Sequence, residues 1–358
     1  MLRYGLSKIF YAFLTLLGVI SLVFFLFNVL PGDPAQMMLG QNENSAQLAM
    51  VKKKYGFDLP ISKQYFLYLN DLSPLSFHST KQEDLTYFTP EKYSAFPIVE
   101  KENYVLAFKW PYMRTSYQKR GKKVSTVISE TFSNTFVLAV ASIVIAIFLG
   151  IVLGVVATLF YNTWVDRWLQ FVSTLGMSVP SFFSAILFSW FFGFLFHHYT
   201  GLNMSGNLYE MDDFGEGRVL QLKNLILPAV VLGIRPIAVI IQLMRSSLLE
   251  VLSQDYIKTA YSKGLSTFQV LYHHGIKNAL NPVVTVISGW FASLLAGAVF
   301  VEYIFGWNGM GKEIVTALNT LDIPVIMGIV LTLSSLFILI NLSVDFIYTQ
   351  LDPQVKLF

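Results

Sequence analysis

Between Thr131 and Tyr161 there is no charged residue. A bilayer crossing takes about 20 residues of helix, so this run is long enough for one. Comparable apolar runs recur at Ile9–Leu30, Trp168–Phe196, about Leu225–Met244, about Leu280–Val301 and Ile323–Val344. They predict a helical membrane protein with six spans. A chain that is 54% hydrophobic and 13% charged, with mean hydropathy +0.56, is too apolar for a soluble domain. The net charge of +3 makes no case for nucleic acid, and the lack of cysteine excludes disulfides and thiolate metal sites.

Arg3 and Lys8 precede the first run, and no small-x-small cleavage site follows it. This predicts a retained first span with a cytoplasmic N-terminus. Residues 31–130 read as a polar region on the outer side. Within it, Gln47–Tyr55 has the pattern of a short helix stopped by Gly56, and the piece from Ser73 to Trp110 is rich in aromatics and charges. Lys119, Arg120, Lys122 and Lys123 also fall outside, against the positive-inside rule, which is weak for a loop of about 100 residues. Gly150 and Gly154 have the spacing for close helix approach. Pro180 is expected to kink the third span. His197 and His198 are adjacent, so they point to different faces and make poor joint metal ligands. The acidic loop Glu210–Glu216 reads as solvated, with a docking surface as the alternative.

Arg235 stands inside the fourth span, where a charge is costly. Two readings stay open. Either it lies shallow and pairs with an acid such as Glu302, or it lines a substrate path and attracts a carboxylate.

The polar segment between the fourth and fifth spans runs from Asp255 to Pro282. It carries Lys258, Lys263 and Lys277, an excess of bases that places it in the cytoplasm. It reads as two short helices. Ser253 is expected to cap the first, about Asp255–Lys263. Gly264 can take the left-handed turn that ends it. Ser266 and Gln269 have capping-box spacing for the second, and Pro282 is expected where the next span begins.

This segment resembles the cytoplasmic "EAA" loop of ABC-importer permeases, in particular the peptide/nickel branch. The residues that carry the likeness are Asp255, Tyr256, Ile257, Lys258, Thr259, Ala260, Lys263, Gly264 and Leu265, then Lys277, Asn278, Ala279, Leu280 and Pro282. Lys258 replaces the Glu of many importers, and His274-Gly275-Ile276-Lys277 replaces an Ile-x-Leu-Pro. Both departures are expected of the peptide branch and speak against the sugar and amino-acid branches. Further matches follow the chain in order: Leu30-Pro31-Gly32-Asp33-Pro34 after the first span, Tyr55–Pro60, Ser178-Val179-Pro180-Ser181-Phe182, Val301–Gly311 and Leu351-Asp352-Pro353. The likeness covers nearly the whole chain apart from an insertion at about 73–110. That insertion reads either as a packing elaboration or as an added contact for a solute-binding protein.

The resemblance implies an all-α membrane protein with six transmembrane helices of the type I ABC-importer permease kind and a large external region after the first helix. It implies N-terminus and first helix at 1–30, an external region at 31–130, a five-helix core at 131–351 and a cytoplasmic tail at 352–358. The coupling loop would be 251–279. The partners implied are a second homologous permease, two cytoplasmic ABC ATPases, an external solute-binding protein and membrane lipid. The location implied is a bacterial or archaeal cytoplasmic membrane, with both termini inside. The coupling residues would be Asp255, Tyr256, Lys258, Thr259, Ala260, Lys263, Gly264 and Leu265, with Ala260 and Gly264 small enough for close docking. Arg235 and Glu302 are candidates for the translocation path. Peptide is the substrate that family frequency favours, with nickel and glutathione as alternatives.

Gly306–Lys312 fits the start of a phosphate-binding loop, G-x-x-x-x-G-K, but Glu313 stands where Ser or Thr would hold magnesium. No ATPase, cofactor or metal site is therefore expected in this chain, and ATP and Mg would belong to partner subunits. No nucleophile–base–acid set is present to support an enzyme. Two other classes stay open. One is an ion-gradient-driven secondary transporter, which predicts an inverted repeat and paired acids within the spans, where only Arg235 stands deep in one. The other is a structural subunit without a path, which has no need of the bent basic loop.

Overall fold

The computed structural model describes residues 2–29, 33–39, 44–119, 121–212, 215 and 217–351. Leu30, Pro31 and Gly32 of the expected stop, Arg120, Asp213, Phe214 and Glu216 of the polar loops, and the tail 352–358 lie outside the described residues. The elements run α1 Leu2–Val29, α2 Pro34–Leu39, α3 Ser45–Tyr55, α4 Ile61–Leu72, β1 Leu75–Ser79, α5 Pro90–Tyr93, β2 Ala95–Glu100, β3 Tyr104–Lys109 and α6 Val124–Leu159. They continue with α7 Trp164–Ser178, α8 Ser181–Phe188, a π-helical stretch Ser189–Leu195, α9 His197–Thr200, β4 Tyr209–Met211, β5 Arg218–Leu220 and α10 Lys223–Leu252. The last are α11 Asp255–Ser262, α12 Thr267–Val270, a second π-helical stretch Leu271–Ile276, α13 Lys277–Gly297, α14 Val299–Ile304, α15 Met310–Asn319 and α16 Ile323–Leu351.

Four described helices are long and apolar enough to cross a membrane, within α1, α6, α10 and α16, and the number is up to six if each of two bent pairs is one span. The third expected span is one of these pairs. It is not a kinked helix: α7 and the segment Ser181–Leu195 meet at 110°. Pro180 pushes Val179 out of the helical region, to φ −77° and ψ 130°, and itself sits at ψ 139°. Two consecutive extended residues end a helix rather than bend it. The fifth expected span starts earlier than expected, because the helix runs through Asn281-Pro282 from Lys277. Pro282 removes one helical hydrogen bond and is followed by a bend of 42°.

The chain divides into two compact units. One comprises residues 6–130 and 313–334. In it Val23 and Phe24 of α1 pack on Tyr68 and Leu72 of α4, and the Ser21 and Tyr65 hydroxyls lie 2.6 Å apart. Gly56 ends α3 at φ +74°, as expected. The insertion folds as an antiparallel sheet ordered β1-β3-β2. Its polarity is inverted. Leu75, Phe77, Phe96 and Phe108 are exposed, while Ser76, His78 and Lys109 are buried on the face that carries Tyr93, Ala95, Val105 and Ala107. The buried face is held by polar contacts: Ser76 Oγ to His78 Nε2 at 2.8 Å, Lys109 Nζ to the Asp71 carbonyl, and Arg114 Nε to Asp71 Oδ2 at 2.7 Å. Burial pulls Lys109 down to about 8. Asp322 accepts from the backbone N–H of Tyr117 at 3.0 Å and from Ser116 Oγ, fixing the turn before α6. Lys119 pairs with Glu313 and Lys122 with Glu130, so two of the bases that conflicted with the positive-inside rule are neutralised locally.

The other unit comprises residues 1–5, 131–312 and 335–358. Its core gathers Leu138 of α6, Val231 and Leu232 of α10, Leu294 and Leu295 of α13, and Phe305 and Trp307. The Gly150–Gly154 pair works as its spacing predicts. A Cβ on Gly150 would lie 2.6 Å from Ile240 Cβ, and one on Gly154 would lie 2.6 Å from Met244 Cβ, so the bare backbone of α6 packs directly on these α10 side chains.

Candidate functional site

The candidate coupling loop is a folded body with its own small core. Gln254, not Ser253, precedes α11 as its N-cap, with φ −73° and ψ 152°. Ser253 instead donates to the Glu250 carbonyl at 2.7 Å, closing α10. Only two residues separate the helices, and Ser253 stays tied to α10. On α11, Ile257 and Ala260 point inward against Val270 of α12, with Val251, Leu252 and Leu265 packed around them. Ala260 is buried in this interior rather than set on the loop's outer surface.

The helix ends as its sequence predicts. Gly264 has φ +82° and donates to the Tyr261 carbonyl at 2.9 Å, while the Leu265 N–H reaches the Ala260 carbonyl at 3.3 Å. This is the paired hydrogen bonding of a Schellman turn, and it needs the left-handed residue. The capping box also forms: Gln269 N–H donates to Ser266 Oγ at 3.4 Å, and Ser266 N–H donates to Gln269 Oε1 at 3.0 Å. Asn278 Nδ2 donates to the Tyr256 hydroxyl at 3.1 Å, tying α11 to the start of α13.

The outward surface carries the remaining candidates. Asp255 and Lys258 pair at 2.8 Å in the open, Thr259 donates to the Asp255 carbonyl at 3.0 Å, and Lys263 is exposed. Two residues missed from the sequence join them. Phe268 and Tyr272 are 74% and 62% exposed, with rings stacked at 6.3 Å and 7° apart. Their four-residue spacing on a polar loop was the available signal. Together with Tyr256 and Tyr261 they give the loop an aromatic and basic outer face.

The two path candidates part company. Arg235 is exposed on α10, makes no hydrogen bond or ion pair among the described residues, and borders a cavity of about 100 Å³ with Ser181, Ser184, Trp290 and Ser293. Its pairing with Glu302 is not made. Glu302 is fully buried, and its Oε2 accepts the N–H groups of Gly311 at 2.7 Å and Lys312 at 3.2 Å, at the start of α15. It borders none of the described cavities. Burial pushes its carboxyl up to about 7. The pairing with Arg235 fails for a local reason: Glu302 faces the backbone of its own following loop.

The comparisons with known proteins bear on the whole chain. Residues 150–357 match the family described as binding-protein-dependent transport system inner membrane component, and residues 1–80 match that family's N-terminal region. The dipeptide transport system permease protein DppB of Alkalihalophilus pseudofirmus is 31% identical over 369 residues, covering 99% of this chain and 100% of that one. The glutathione transport system permease protein GsiC of Salmonella paratyphi A is 31% identical, covering 99% of each chain. DppB of Escherichia coli is 47% identical over 133 residues, 37% of this chain and 39% of that one. Among solved structures, the inward-facing MetNI methionine ABC transporter aligns with a TM-score of 0.50 at 14% identity, covering 64% of this chain and 97% of that chain.

Proposed function

The chain belongs to the binding-protein-dependent transport system inner membrane components, the membrane-spanning permease subunits of ATP-driven importers, and we propose that its cargo is peptide. The observation that carries the cargo is the end-to-end likeness to a dipeptide permease. The full-length likeness to a glutathione permease points the same way, since glutathione is itself a short peptide. On this reading the chain pairs with a second permease and with two cytoplasmic ATPases, and an external solute-binding protein delivers the cargo. ATP and Mg bind the ATPases. Both termini lie in the cytoplasm of a bacterial or archaeal cell.

The mechanism is alternating access. Loop 251–279 seats in a cleft of the ATPase surface through Tyr256, Lys258, Lys263, Phe268 and Tyr272. Closure of the ATPase dimer displaces it. The packed core of Ile257, Ala260 and Val270 supports this role, because a body that does not melt transmits a displacement. Arg235 serves the path by attracting the cargo's carboxylate; its exposure and its lack of a partner among the described residues support this.

Two experiments test the reading. Affinity capture of the tagged chain from solubilised membranes should bring down a second permease and P-loop ATPases; capture of the chain alone, under conditions that preserve a known importer, would overturn it. Arg235→Gln should reduce uptake of a free dipeptide more than of its C-terminal amide, and an equal effect on both removes Arg235 from the path.

A further inference from the structure

The loop's motion must reach the helices around it, and one side-chain pair ties them. Arg245 stands on α10, roughly 10 Å of helix before its end at Leu252. Its Nε donates to Asp166 Oδ1 at 2.6 Å and its Nη2 to Asp166 Oδ2 at 2.7 Å. Asp166 lies on the first turn of α7 and is buried. The same Oδ2 accepts the Asn162 N–H at 3.0 Å, and the guanidinium lies 5.3 Å from the Tyr161 ring centre. Thr158 on α6 donates to the Arg245 carbonyl at 3.4 Å. One fork-shaped pair thus joins the ends of α6, α7 and α10.

On the other side of Arg245, α10 is packed into the loop. Leu248 is buried against Gly275, where an added Cβ would come within 3.2 Å of its Cδ1. Val251 and Leu252 cover the Ile257–Ala260–Val270 core. From Arg245 onward, α10 and the loop form one continuous packed body. A bidentate guanidinium–carboxylate pair fixes direction as well as distance, which a lysine does not.

We propose that Asp166 and Arg245 are positioning residues that carry the displacement of loop 251–279 into the α6–α7 turn. This rests on the reading of that loop as the ATPase-coupling element. The chain has no cysteine, so a single Trp164→Cys gives a unique thiol in this subunit, at an exposed site beside the turn.

The test is the rate of maleimide alkylation of that thiol in the assembled importer, with and without trapping by ATP and vanadate. Trapping should change the rate in the otherwise unsubstituted complex. In Asp166→Asn and Arg245→Lys the change should shrink by about tenfold while ATP turnover persists, and Asp166→Glu should recover part of it. No response in the unsubstituted complex, or an undiminished response in the Asn and Lys variants, overturns the proposal. A response that falls only in step with loss of assembled complex, without recovery in Asp166→Glu, also overturns it. Photo-crosslinking from position 268 tests the loop reading separately. ATPase captured there, with an undiminished response in Asp166→Asn, sinks the positioning role of the pair and leaves the loop's role standing.

Discussion

Gly264 offers a clean perturbation of coupling, because its cost can be worked from backbone alone. It sits at φ +82°, and an added Cβ would meet nothing within 4 Å. A side chain there clashes with no neighbour, so the whole penalty is conformational. An L-residue in the left-handed region costs about 1–2 kcal/mol, less for Asn, and a β-branched residue falls at the upper end or beyond. Gly264→Asn should therefore be nearly silent, Gly264→Ala should cost about 1 kcal/mol, and Gly264→Val about 2 kcal/mol, a factor of about 30 in the population of the native turn. The strain is relieved when φ turns negative. That breaks the hydrogen bonds from Gly264 to Tyr261 and from Leu265 to Ala260, and it re-aims α12 relative to α11. The assay is peptide uptake per ATP hydrolysed by the reconstituted importer. The ratio should fall in the order Gly, Asn, Ala, Val, with ATP hydrolysis persisting. If Val couples as well as Asn in fully assembled complexes, the left-handed turn does not set the loop's geometry and the reasoning fails.

Two further predictions concern stability. Gly154→Leu drives a side chain into Met244, whose Cβ is already at contact distance, and should cost about 1–3 kcal/mol, read as a lower unfolding midpoint in detergent; an unchanged midpoint would mean that α6 and α10 do not touch there. Lys109 is held at about 8 by burial, below its ordinary 10.5, so between these values the unfolded chain keeps a proton that the folded chain has released. Stability of the insertion should therefore rise as pH rises from about 8 to 10.5, by about 3 kcal/mol at most, and protease resistance of residues 73–110 in the native chain relative to a Lys109→Met variant at each pH should rise with it. A ratio that falls or stays flat across that window would remove Lys109 as the cause.

What the sequence made legible is what depends on local rules. The apolar runs located the long apolar helices, Gly264 and Gly56 fell where left-handed turns end helices, and Ser266 with Gln269 formed its box. The remainder turned on contacts between distant residues. Pro180 within an apolar run reads as a kink, yet Val179 and Pro180 are both extended and the chain turns by 110°. The insertion escaped notice as a sheet because its alternation is reversed. Phe77 and Phe108 face outward, and the buried partners are Ser76, His78 and Lys109, satisfied by Asp71 and by one another. Nothing in residues 75–109 alone says that a carbonyl from α4 and an arginine at 114 will complete that face. That Ala260 turns toward Val270 is likewise visible only in the folded loop.

The glycine-lysine motif at 306–312 shows how a local pattern can be physically sound and still mean something else. Glycines ahead of a helix N-terminus do make room for an anion, and the N–H groups there do bind one. Here the acceptor is internal. Glu302 presents Oε2 to the N–H groups of Gly311 and Lys312, and the Met310 N–H goes to Thr135 Oγ1 at 2.8 Å. A side chain at 309 would overlap the Glu302 carboxylate, and one at 311 would lie 2.5 Å from Val299 Cα. The lysine, which in a nucleotide site reaches for phosphate, donates to the Gly306 carbonyl at 3.0 Å and to Asn308 Oδ1 at 2.8 Å. The small residues, the helix start and the cation are thus all engaged within the chain, and the acid nine residues before Gly311 is what engages the helix start. The same geometry accounts for the joint presence of Glu302, Gly309 and Gly311, because removing the carboxylate leaves two N–H groups without their acceptor, and adding a Cβ at either glycine displaces the carboxylate or the backbone at Val299.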